Sequence, residues 1–257
     1  MIVQRRAERG CEPAGDSSVR VPVGRRYPPK RGFAPSTIVG VDANAPIGVL
    51  AGDWAGLAAA DAVQRRLPHE DVVYLADHAW APYAGRPGAV VSDRVTRLAA
   101  DLVEHYRCKL VLIASLQATL DGLEAARARL GAVPVIGLEP GPALARAAAL
   151  AGGGDVRAVF GASCVRGDQL RRELRRGRDR SLPLGAAGPP DGAVAALLCA
   201  HACASPPADR AWVSAAELAA ASASATVRGI GGAARRRRRG RRILVSSSPV
   251  ARAAGQA

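Results

Sequence analysis

Ser115 ends a short apolar run at 110–114, inside the stretch KLVLIASLQAT at 109–119. In an open α/β sheet, ligands bind in the crevice at the carboxyl ends of the strands, and Ser115 stands at such an end. A hydroxyl there could act as a nucleophile, but the glycines of G-x-S-x-G are missing, so a structural serine is expected. Cys199, His201 and Cys203 lie two residues apart. Three ligands at that spacing suit zinc poorly on a strand face, and no second Cys/His pair is near, so no metal site is expected. Only two lysines occur, Lys30 in the N-terminal segment and Lys109 at the far end of its strand, so a pyridoxal Schiff base is not expected. The segment Gly52-Asp53-Trp54-Ala55-Gly56 is a turn between an apolar run and a helical pattern. It lacks both G-x-G-x-x-G and the Gly-Lys-Ser/Thr of a phosphate loop. A further loop, DHAWAPYAGR at 77–86, gathers polar and aromatic side chains after another apolar run.

These residues need a frame, and the periodicity supplies one. Apolar runs at 45–51, 72–76, 110–114, 133–137, 156–160 and 193–198 read as buried strands. Between them lie helical patterns. One has Leu57, Ala60, Val63 and Leu67 on a face and stops at Pro68. A second has Val91, Val95, Leu98, Leu102 and Tyr106 facing inward. A third has Leu116, Leu120, Leu123 and Leu130 on one face. An alanine-rich helix follows the turn Glu139-Pro140-Gly141, and a polar helix ends near Gly177. Strands alternating with helices predict an α/β fold with a parallel sheet covered on both faces. Cys108 precedes its strand, away from the crevice, and is expected in the core.

The chain has 257 residues, 49% of them apolar, with a formal charge of +14. Residues 1–40 carry 8 basic against 3 acidic side chains, residues 210–257 carry 10 against 1, and 41–209 carries 18 of each. The basicity therefore belongs to the ends, and nucleic acid is not an expected partner except through those basic tails. Five cysteines, with no apolar segment after the N-terminal arginines, predict a cytoplasmic protein. No apolar run is long enough for a membrane span. The expected organisation is a disordered basic extension at 1–43, a first α/β domain at 44–150, a shortened second at 151–221, and a low-complexity Arg-rich tail at 222–257.

Four stretches, in order, resemble the glutamate racemases of the Asp/Glu racemase superfamily. The family's I-G-V-F-D-S-G-x-G-G-L is similar to IGVLAGDWAGL at 47–57. Its L-P-x-E-x-x-x-Y-L-x-D, followed by P-Y-G, is similar to LPHEDVVYLAD at 67–77 followed by Pro82 and Tyr83. Its V-P-V-I-G-x-x-E-P-G is close to VPVIGLEPG at 133–141, and its late G-C-T-H falls on Leu198, Cys199, Ala200 and His201. The resemblance implies two pseudo-symmetric parallel-sheet α/β domains, the second shortened here. It also implies cofactor-independent interconversion of L- and D-glutamate for peptidoglycan synthesis. The implied partner is a small acidic substrate, glutamate or a relative; the oligomeric state is left open, a homodimer included.

In the family two cysteines face the substrate α-carbon from opposite sides. One thiolate removes the proton and the other thiol returns one. The resemblance carries the second cysteine onto Cys199, with His201 as its assistant. The first falls on Ser115, where the family's A-C-N-T reads Ala114-Ser115-Leu116-Gln117. The Asp and Ser of D-S-G fall on Ala51 and Gly52. Asp77, Pro82, Tyr83, Glu139, Gly52 and Gln117 are carried over as the lining of the substrate crevice. A hydroxyl is far less acidic than a thiol, so full two-base racemisation is expected to be impaired. A one-thiol chemistry through Cys199, as in the related arylmalonate decarboxylase, and a catalytically inactive pseudoenzyme or binding protein are the alternatives.

Overall fold

The computed structural model describes residues 42–151, 156–159, 165–176, 184–185, 194–197, 212–235 and 238–247. The expected extension at 1–43 lies almost wholly outside them, as do Cys199 and His201.

Two parallel sheets organise these residues. The first contains β1 (Ile47–Ala51), β2 (Val72–Ala76), β3 (Leu110–Ile113), β4 (Val135–Gly137) and β9 (Arg242–Ser246), in the order β4-β3-β1-β2-β9. The second contains β5 (Val156–Val159), β6 (Leu184–Gly185), β7 (Val194–Leu197) and β8 (Trp212–Ser214), in the order β6-β5-β7-β8. Every strand pair is parallel. The helices are α1 (Leu57–Arg66), α2 (Gly88–Glu104), α3 (Leu116–Leu130), α4 (Pro140–Ala151), α5 (Gly167–Arg176) and α6 (Ala215–Gly229). The parallel-sheet α/β class expected from the alternation of strands and helices is therefore present. No described helix is long and apolar enough to cross a membrane.

The central strand explains why its sequence shows no alternation. Ile47, Val49 and Ala51 of β1 enter the core shared with α1 and α6, while Leu50 enters the core beneath α2 and α3. Both faces of β1 are buried, so successive side chains are all apolar. At Gly48 a β-carbon would lie 3.1 Å from both Cys108 Sγ and Leu102 Cδ1, which explains how α2 approaches that face so closely. Cys108 is buried there, as expected from its position, and burial pushes its thiol pKa up to about 12.

The third helix divides its apolar residues. Leu123 and Leu130 pack under the first sheet, whereas Leu116 and Leu120 join a separate cluster with Leu144, Val165, Leu170 and Val213. The single leucine face expected for α3 thus serves two cores, because two sheets flank the helix. Helix α4 likewise supplies Ala143, Leu144 and Ala147 to that second cluster.

The segment expected as a low-complexity tail from Ser222 holds two elements. Helix α6 runs on to Gly229, and Arg242–Ser246 pairs with β2 as an edge strand. Ala216, Ala219, Ala220, Ala223 and Val227 of α6 lie in the same core as Ala59, Ala60, Ala62 and Val63 of α1. These alanines follow helical spacing, and their small side chains let two helices approach closely. The helix opens on Ser214, whose side chain accepts the Glu217 amide, the first half of a capping box.

The arginine run is also not simply solvated. Arg238 and Arg241 engage Asp71, and Arg242 engages Asp61 and Gln64. The buried Glu70 accepts from Lys109 Nζ at 2.5 Å and from the Ala234 amide at 2.7 Å. Lys109 Nζ also donates to the Gly232 carbonyl at 2.6 Å, tying the segment between α6 and β9 to the base of β3.

Candidate active site

From β1 the chain moves to β2 on one side and then returns to β3 on the other. The loops after β1 and β3 therefore diverge, leaving a crevice at the topological switch point. The loop after β1 is a turn of 3-10 helix, Trp54–Gly56, capped by Asp53, whose side chain accepts the Ala55 amide at 2.8 Å. At Gly56 a β-carbon would come 2.4 Å from Ala51 Cβ and 3.1 Å from the Ala114 carbonyl, so only glycine lets this turn lie across the ends of β1 and β3. Gly52 is buried, and a β-carbon there would meet the Tyr83 ring at 3.3 Å. Tyr74 donates to the Asp53 carbonyl from below. Burial, chiefly, holds its phenol protonated well above the ordinary range.

Ser115 is half-buried and is the N-cap of α3. Its Oγ accepts from the Ala118 amide at 3.5 Å, and its carbonyl accepts from Thr119 Oγ1 at 2.9 Å. Among the described residues no imidazole, amine or carboxylate is hydrogen-bonded to the Ser115 hydroxyl. The described cysteine, Cys108, precedes β3 at its amino end and is protonated at neutral pH.

Gln117 is fully buried and fully used. Its Nε2 donates to Asp121 Oδ2 at 2.8 Å and to Gln169 Oε1 at 2.9 Å, and its Oε1 accepts the Arg166 amide at 2.7 Å. Arg166 reaches both oxygens of Asp121 at 2.7 Å and donates to the Arg86 carbonyl at 2.6 Å. This network ties α3 to the start of α5 and to the loop before α2.

Asp77 is also fully buried. It accepts two hydrogen bonds from Arg94, at 2.7 and 3.0 Å, and one from Tyr83 at 2.9 Å. Burial alone would raise the Asp77 pKa; hydrogen bonds from Arg94, Ser247 and Tyr83, with the charge of Arg94, outweigh it and hold the carboxylate below its ordinary value. Burial and the neighbouring carboxylate keep Tyr83 protonated. Pro82 is exposed, ahead of a short 3-10 turn at Tyr83–Gly85. Glu139 is exposed between β4 and α4 and pairs with Arg127 at 3.1 Å.

The structure thus gathers Gly52, Tyr83 and Asp77 in one cluster, sets Ser115 at the end of β3, and commits Gln117 to the link with α5. Arg94, Arg166, Asp121 and Gln169 were not singled out from the sequence. Arg94 had a signal, a charged residue beside Val95 and one turn from Val91 on the inward stripe of α2. Arg166 had none, since the Asp121 carboxylate and Arg86 carbonyl it binds lie 45 and 80 residues away. Among the described residues no group of three or more His, Cys, Asp or Glu could hold a metal ion.

This arrangement, a parallel sheet with a crevice at its switch point and a second parallel sheet beside it, is the fold of the glutamate racemases. A glutamate racemase from Thermus thermophilus, solved with β-chloro-D-alanine, matches 83% of this chain and 92% of its own, at a TM-score of 0.64 and 23% identity. One from Bacillus anthracis matches 81% and 90%, at 0.64 and 19% identity. In sequence, the chain is 41% identical to the glutamate racemase of Ralstonia pickettii over 105 residues, 40% of this chain and 36% of that one. It is 38% identical to that of Corynebacterium glutamicum over 117 residues, 46% and 42% of the two. The matched segment spans less than half the length of these relatives. No family model matches the chain. The chain is similar to glutamate racemases in sequence over part of its length and in fold over most of it.

Proposed function

We propose that this chain is a glutamate racemase-like protein whose inherited reaction is the cofactor-independent interconversion of L- and D-glutamate for peptidoglycan synthesis, impaired at its first half-site. The observation that carries the reading is the state of Ser115. Two-base racemisation needs a thiolate on each side of the α-carbon. A thiol of ordinary pKa about 8.5 can be poised for that task by its surroundings, whereas a serine hydroxyl needs an adjacent base. Here the hydroxyl oxygen accepts from a helix amide, and no described base is bonded to it. Ala51 and Gly52 replace the family's Asp and Ser beside it. The other half-site would then rest on Cys199 and His201.

A second reading, a catalytically inactive pseudoenzyme or binding protein, is favoured by the fate of Gln117 and Asp77. Both polar side chains are taken up inside the fold.

Proton exchange in heavy water separates the readings. The full chain is incubated with L- and with D-glutamate while α-deuterium and chirality are followed by NMR and chiral chromatography. Deuterium entering one enantiomer without inversion is the outcome for an impaired racemase working through Cys199 alone. No exchange, with glutamate still bound, supports the binding protein. Exchange with rapid inversion overturns the impairment and requires a second base.

A further inference from the structure

A cavity of about 410 Å³ opens beside the α3–α5 link, lined by Arg86, Gly88, Asp121, Arg166, Gln169 and Arg172 among others. Its size suits a small organic ligand. Its charge is unevenly compensated. Asp121 is bound through both oxygens by Arg166, and Arg172, at the rim, pairs with Asp168 at 2.8 Å. Arg86 pairs with no carboxylate among the described residues. Its Nε donates to the Trp80 carbonyl at 2.7 Å and its guanidinium lies 4.6 Å from the centre of the Trp80 ring. Those two contacts fix the plane of the fork, and no described residue accepts from its two terminal nitrogens.

The start of α2 adds to this. Pro87 is its N-cap and makes no side-chain cap, and no acidic residue occupies the first turn of this 17-residue helix. The first amides of a helix have no intrahelical acceptor and carry partial positive charge. Gly88 also keeps the wall open. A β-carbon there would stand 3.1 Å from Asp121 Oδ1 and 3.4 Å from an Arg166 terminal nitrogen.

We infer that this cavity is a binding site for the phosphoryl group of a small molecule, held by the Arg86 fork and the amino end of α2. A fixed guanidinium with two free nitrogens matches two oxygens of a phosphoryl group, and a third oxygen can face the helix amides. The remaining volume, walled in part by Leu120 and Pro87, takes the organic part. The site does not depend on the racemase reading, since it uses neither Ser115 nor Cys199.

The test is calorimetric titration of the full chain with inorganic phosphate, at fixed ionic strength balanced with chloride. Phosphate is expected to bind, with Arg86→Ala weakening it about tenfold or more. Arg97→Ala, which removes an exposed arginine of α2 outside the cavity, is expected to leave affinity unchanged. Arg86→Lys, keeping charge but not the fork, should fall between the two. Thermal melts of each variant check that it is folded. No phosphate binding beyond chloride, or equal binding by folded Arg86→Ala, overturns the site. Tighter Arg86-dependent binding of glutarate or glutamate than of phosphate overturns the phosphoryl assignment and makes the cavity part of a carboxylate site.

Discussion

Gln117 accepts the backbone amide of Arg166 at 2.7 Å, joining the first turn of α3 to the residue that precedes α5. The same side chain donates to Asp121 and Gln169, so one buried amide links elements packed against different sheets. Its replacement by alanine leaves a buried amide hydrogen and one acceptor on each partner without it. Gln117→Ala should cost about 1–3 kcal/mol of stability. Hydrogen exchange should localise the loss at Arg166 and the first turn of α5. Unchanged protection there would show that the apolar cluster of Leu116, Leu144 and Leu170 holds the two parts together without the amide.

Ser115 gives a sharper prediction about activity. On the proposed reading, Ser115→Cys places a thiol at the end of β3 but leaves Ala51, Gly52, Leu116 and Gln117 as they are. The single variant should gain no strong racemase activity by chiral chromatography; vigorous turnover would show that the thiol alone was missing. Ser115→Ala removes a helix cap and should cost about 1 kcal/mol in denaturant melts, whatever happens to activity.

Asp77 should make stability depend on acid. Its folded pKa lies below the ordinary carboxylate value, so its stabilisation is present above about pH 4 and is lost as pH falls through the folded value. Asp77→Asn leaves Arg94 without its carboxylate, a change of about 3–5 kcal/mol when a buried pair is broken. Melting both proteins from pH 7 to pH 2 checks the sign, because the gap between them should narrow only at the acid end. A constant gap would place the effect in packing rather than charge.

The chain after α6 should be structural. Deleting residues from 236 onward removes β9 and bares the edge of β2, including the hydrogen bonds that β2 shares with Ile243 and Val245. The shortened protein should lose its cooperative melt or unfold many degrees lower. Lys109→Met tests the same region with one atom group. It strands the buried Glu70 carboxylate and should cost about 3–5 kcal/mol. A truncated chain that melts like the full one would return the segment to the status of a tail.

Much of the frame was legible because local patterns there agree with the tertiary fold. The runs at β1, β2 and β3 are apolar at every position, and that marks a strand covered on both faces before any contact is known. The stripe of Val91, Val95, Leu98 and Leu102 places α2 for the same reason. The position of Ser115 at a strand end was also written in the chain. A short strand and helix were legible from Trp212 to Ala221, but the run of α6 on to Gly229 was hidden because alanine and serine give a weak apolar contrast; its face is defined by how closely α1 approaches, not by the size of its side chains. Strand β9 was hidden because five residues beside an arginine run carry little periodicity. Their place depends on Asp61, Glu70 and Asp71, which lie more than 160 residues earlier. The sequence alone determined the strands and helices of the first sheet up to α4 and the place of Ser115 at a strand end. Only the tertiary structure decided that Gln117 and Asp77 are spent inside the fold. Hydrogen bonds between side chains distant in sequence have no period to read, and their geometry exists only once the sheets are assembled.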